Sequence, residues 1–103
     1  MSQFDVYRNP NPATNDQIPY LLDLQTDLLN ITRTRVVVPL ERGGAFSTAE
    51  RLIPEFRIEG VSVVMSTPEL AGVGISSLGE PVTSLADKRF EILAALDLLF
   101  SGI

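Results

Sequence analysis

The chain has 103 residues, 45% of them hydrophobic and 20% charged, the make-up of one globular domain rather than of a disordered tail or a membrane span. Eight basic residues stand against thirteen acidic ones, for a net charge of −5, so direct binding of a phosphate backbone is not expected. His and Cys are both absent, which removes the commonest general acid/base, thiolate nucleophiles and zinc-thiolate sites, and gives no sign of an oxidising compartment.

The opening Met1-Ser2-Gln3-Phe4-Asp5 lacks the basic and apolar pattern of a secretory signal. No stretch reaches the roughly 20 apolar residues of a membrane helix. A cytoplasmic protein with no membrane partner is expected. Gln3 to Tyr7 alternates polar and apolar, with Phe4 and Val6 on one side, and predicts a first strand. Arg8 to Pro19 holds three prolines and three asparagines and predicts an exposed, mobile loop. Tyr20 to Gln25 predicts a second strand with Leu22 and Leu24 on one face, and Asp27 to Asn30 leaves it. Thr34 to Leu40, dense in valine, predicts a strand covered on both faces, with Pro39 near its end or at a bulge.

Glu41 to Ala49 contains Gly43-Gly44 and reads as a flexible connection. Glu55 to Ile58 and Val61 to Met65 predict two short strands joined by a hairpin turn at Glu59-Gly60. Val73 to Leu78 predicts a further strand, closed by Gly79-Glu80-Pro81. Ser84 to Phe100 predicts the one long helix, with Ser84 as N-cap and Asp87 completing a capping box. Leu85, Ile92, Leu96 and Leu99 follow the spacing of one helix face, and Phe90, Leu93, Ala94, Leu98 and Phe100 widen the apolar sector. Such a helix either lies deep in its own core or packs its C-terminal half, Leu96, Leu99 and Phe100, against a second copy of the chain. Strands followed by a terminal helix give an α+β fold, a small antiparallel sheet or barrel.

Several residues read in more than one way. Asp23 and Asp27 form a carboxylate pair, but no third acid or histidine completes a metal shell, so both are expected to cap turns or face water. Arg33, Arg35 and Arg42 form a candidate anion-binding patch. Gly102 reads as a left-handed helix cap and Ile103 as a frayed end, or the two form a binding tail. No catalytic residue, metal ligand or cofactor site is assigned, and the chain is expected not to be an enzyme.

Met1-Ser2-Gln3-Phe4-Asp5-Val6-Tyr7 resembles the opening of the CcdB family of toxins. Asp23-Leu24-Gln25-Thr26-Asp27-Leu28-Leu29 is similar to that family's D-V-Q-S-D-[IL]-[IL] segment, and Arg35-Val36-Val37-Val38-Pro39-Leu40 to its R-x-V-I-P-L strand. Gly79-Glu80-Pro81-Val82 and Leu85 fall at the family's approach to the last helix, and Gly102-Ile103 at its end. The Arg8 to Ile18 and Glu41 to Phe56 regions match poorly.

The resemblance implies a homodimer of SH3-like barrel subunits with a C-terminal helix. It implies a toxin of a toxin–antitoxin system, encoded for plasmid maintenance, that binds the A subunit of DNA gyrase and traps the enzyme on cleaved DNA. A CcdA-like antitoxin neutralises it, and the pair represses its own transcription, DNA being bound only as that complex. Carried over by position, the gyrase-binding residues are Ser101, Gly102 and Ile103, supported by Leu28, Leu29, Phe4 and Asp97. The family's best-known member has tryptophan where this chain has Ser101, and an amide at Asp97. The alternatives are an endoribonuclease of the MazF/Kid type, for which no base stands beside the arginines, and a family member that has lost gyrase. The Arg8 to Pro19 loop is a candidate antitoxin contact.

Overall fold

A computed structural model describes residues 1–29, 33–43 and 51–102, with the side chain of Leu29 left aside. Among the described residues, seven strands form one curled antiparallel sheet: β1 (Asp5–Arg8), β2 (Tyr20–Asp23), β3 (Thr34–Arg42), β4 (Glu55–Ile58), β5 (Val61–Met65), β6 (Ala71–Gly74) and β7 (Pro81–Ser84). The helix α1 (Arg89–Ser101) follows. The order across the sheet is β4-β5-β3-β2-β1-β7, and β6 pairs with the remaining part of β3. The α+β expectation, an antiparallel half-barrel with a C-terminal helix, holds.

β3 is the spine. One edge pairs with β2 through Leu22↔Val38 and its neighbours, while the other is shared, β6 taking Thr34 to Val37 and β5 taking Leu40 to Arg42. Pro39 therefore lies inside the strand rather than near its end. Its carbonyl accepts from the Ser66 amide on the edge away from β2, so its missing N–H falls in the gap between the β6 and β5 pairings. Val37 and Val38 are covered on the two faces as expected, but Val36 is 37% exposed. The expected connection from Glu41 begins later, since β3 runs through Arg42, and residues 44–49 lie outside the described residues.

The hairpin falls where its sequence placed it. Glu59 and Gly60 both take positive φ, 53° and 78°, the two-residue turn whose twist matches that of paired strands. Glu59 is held there by Arg8, whose Nη2 lies 2.7 Å from its carboxylate, and by the Tyr20 hydroxyl, which donates at 2.6 Å. Arg8 also donates from Nε to Glu80 at 2.9 Å, tying the β4–β5 hairpin and the approach to β7 onto β1.

Three local expectations are corrected. Phe4 is not strand: it sits at φ 73° just before β1, donates its N–H to the Asp23 carbonyl at 2.7 Å and accepts from the Leu85 amide at 2.8 Å. The predicted Val73 to Leu78 strand is β6, which ends at Gly74, followed by a 3₁₀ turn over Ile75–Ser77. Ser84 is not a helix N-cap: it ends β7, and its hydroxyl accepts from the Ala86 amide, opening a 3₁₀ turn (Ala86–Lys88) ahead of α1. The 8–19 loop is exposed, yet it is stitched to itself: Asn9 Nδ2 donates to Ile18 O at 2.8 Å and to Thr14 Oγ1 at 3.0 Å. Gln17 and Arg42 exchange two further bonds across to β3.

The core gathers Val6, Leu22, Val38, Leu40, Val63 and Met65 from the sheet and closes with Ile92 and Ala95 of α1. None of these eight residues exposes any measurable surface.

Candidate interaction surface

On α1 only Ile92 and Ala95 are buried, while Leu93 and Leu96 are half-buried against the core. The rest of the helix surface carries apolar groups that the fold does not cover. Phe90 is 82% exposed and Phe100 73% exposed. Of the expected pairing residues, Leu96 and Leu99 are half-buried and Phe100 stands in water. Phe90 was visible in the sequence only as part of a wide apolar sector. Its exposure became legible once Ile92 and Ala95 fixed which side faces the sheet.

The end of α1 is defined by its own hydrogen bonds. Gly102 takes φ 72° and donates its N–H to Leu98 O at 3.0 Å, the left-handed cap that only glycine adopts without strain. The Ser101 hydroxyl donates back to Asp97 O at 2.8 Å. Asp97, Ser101 and Gly102 are all exposed and adjacent at this end, while Ile103 lies outside the described residues.

Leu28, in a 3₁₀ turn (Asp27–Leu29) after β2, is 90% exposed. The turn is anchored to the N-terminal segment, Asp27 Oδ1 accepting from the Gln3 amide at 2.8 Å. Phe4, one residue on, is 2% exposed and cannot touch a partner directly. Its ring lies under the Arg89 guanidinium, 5.9 Å from the centroid, so it links this segment to the start of α1. The side chain of Leu29 lies outside the described residues.

The structure corrects two expectations about charged residues, one of them in part. Asp23 does cap a turn, its Oδ1 accepting the Gln25 amide at 2.9 Å, but it does not face water. It is fully buried and paired with Arg35, whose Nη2 lies 2.7 Å from its Oδ2. Burial, with the Asp5 and Asp23 carboxylates near it, pushes the neighbouring Tyr7 hydroxyl above its ordinary range. Arg35 is therefore lost to any anion-binding patch, and Arg42 Nε is engaged by the Asp16 carbonyl. Arg35 and Arg42, seven positions apart on β3, are turned to opposite faces of the strand. Beyond charge at two strand positions, nothing in the amino-acid order signals the buried pair.

Beside the 8–19 loop, a shallow cleft of about 380 Å³ runs between Asn9, Pro10 and Ile18 of the loop and Leu21, Pro39 and Val73 of the sheet. No helix among the described residues is long and apolar enough to cross a membrane. In a comparison with protein families, a family model described as CcdB protein matches residues 3–102.

Proposed function

The chain belongs to the CcdB family, toxins of toxin–antitoxin systems that poison DNA gyrase without being enzymes themselves, and we propose that it acts in that way: it binds the A subunit of DNA gyrase and traps the enzyme on cleaved DNA. The match over residues 3–102 carries this reading. The proposed contact residues are Ser101, Gly102 and Ile103 with Asp97 at the end of α1, and the Leu28-Leu29 turn, with the buried Phe4 as a supporting position. Ser101 replaces the aromatic anchor of the best-known member.

Leu96, Leu99 and Phe100 are the proposed contacts between two copies in a homodimer. A CcdA-like antitoxin is the proposed second partner, with the 8–19 loop and the cleft beside it as one contact. Proline and aliphatic side chains, Pro10, Ile18, Leu21, Pro39 and Val73, line that cleft.

The test incubates the purified protein with gyrase and supercoiled DNA, and separately with RNA. Gyrase-linked double-strand breaks support the proposal, and a chain lacking its last three residues, still folded by circular dichroism, gives none. Cleaved RNA without such breaks refutes it in favour of a nuclease.

A further inference from the structure

Asp23 closes β2 and Arg35 lies near the start of β3, and they are 0% and 1% exposed. Both Nε and Nη2 of Arg35 reach the same Asp23 oxygen, at 2.9 and 2.7 Å. A pair sealed this deeply is a poor source of stability. Stripping water from two charges offsets their attraction, and apolar replacements of the whole pair are often neutral or stabilising.

What the pair does supply is a fixed direction, because its bonds continue outward. Arg35 Nη2 also donates to the Gln25 carbonyl at 3.2 Å, and Asp23 Oδ1 accepts the Gln25 amide at 2.9 Å. Gln25 in turn offers Oε1 to the Val36 amide at 3.1 Å. Its backbone and its side chain are thus both held. From the other side, Gln3 donates its Nε2 to Leu24 O at 3.0 Å and its amide to Asp27. The segment between Leu24 and Asp27 has left the sheet, yet it is gripped from two directions, and the next residue is the exposed Leu28.

We infer that Arg35 and Gln25 are positioning residues: the buried Arg35–Asp23 pair, acting through Gln25, holds the Asp27–Leu29 turn so that Leu28 is displayed to a protein partner. A turn held in place before contact need not be ordered at contact, which is where affinity is gained. The identity of that partner as gyrase rests on the reading above; the holding of the turn does not.

The chain has no cysteine, so Leu28→Cys creates one thiol for a nitroxide spin label. Label mobility is compared in that background with Gln25→Ala, with Gln25→Glu and with the apolar pair Asp23→Leu/Arg35→Met. Mobility should rise with Gln25→Ala and with the apolar pair, and return to the parent value with Gln25→Glu, which keeps an acceptor for Val36. In chains that keep Leu28, affinity for the gyrase A subunit should fall about tenfold while the melting midpoint of the apolar pair stays level or rises. Unchanged mobility in both disrupting variants overturns the inference, as does an affinity loss that only follows a falling midpoint. Should the apolar pair not fold, Gln25→Ala, at a half-buried position, decides alone. Raised mobility in a protein that shows no hold on gyrase supports the positioning role and sinks the gyrase reading instead.

Discussion

At the scale of single residues, two charged clusters behave differently because of where they sit. The Asp23–Arg35 pair is dry, so removing one partner strands a charge away from water. Asp23→Ala or Arg35→Ala should each cost about 3–5 kcal/mol, read by urea denaturation. The Arg8–Glu59 pair, which the buried Tyr20 joins through its hydroxyl, is open to water, and its interest is pH dependence. Hydrogen bonds from Arg8 and Tyr20 hold the Glu59 carboxyl below the ordinary glutamate range. Its stabilising contribution is therefore complete above that range and is lost as pH falls through the lowered folded value. Glu59→Gln should flatten this acid limb of the melting midpoint against pH, and added salt should shrink the difference between the two proteins. Glu41 runs the other way. Burial and the nearby Glu69 carboxylate raise its titration, so stability falls as pH rises from the ordinary glutamate range through the raised folded value. Glu41→Gln should raise the melting midpoint at neutral pH.

At the scale of elements, α1 divides into a face that folds the chain and a face that does not. Ile92 fills the core against the sheet, whereas Phe90, two residues earlier, is nearly free in water. Ile92→Ala should cost about 2–5 kcal/mol through the cavity it leaves. Phe90→Ser should change the stability of one copy by no more than about 0.5 kcal/mol. Chemical denaturation of both variants at low protein concentration checks the contrast. Most elements were legible from short-range pattern. The valine run of β3 and the Glu59-Gly60 turn carry their own signals, β-branching and a turn that glycine completes. β7 was not legible: Pro81-Val82-Thr83-Ser84 shows no alternation and becomes a strand only because β1 offers it an edge. The start of α1 was misplaced for a related reason, Ser84 being claimed by that pairing before it could cap a helix.

At the scale of the whole molecule, a small half-barrel leaves apolar surface on its helix that a second copy would cover. If Leu96, Leu99 and Phe100 join two copies, the melting midpoint should rise with protein concentration. Phe100→Glu should abolish that dependence without unfolding the chain. Sedimentation of both proteins at micromolar concentration is the direct check, and a parent that stays monomeric removes the dimer from the proposed function.

What the amino-acid order determined alone was the kind of element at most positions, because helix and strand periods and turn chemistry act over a few neighbouring residues. It also carried the family, through segments spread along nearly the whole chain. The tertiary structure decided which charges are sealed inside, which aromatic rings stay in water and which loop is held in place. Asp23 and Arg35 lie twelve positions apart and Arg8 meets Glu59 across fifty-one, and no local pattern encodes meetings set by strand register.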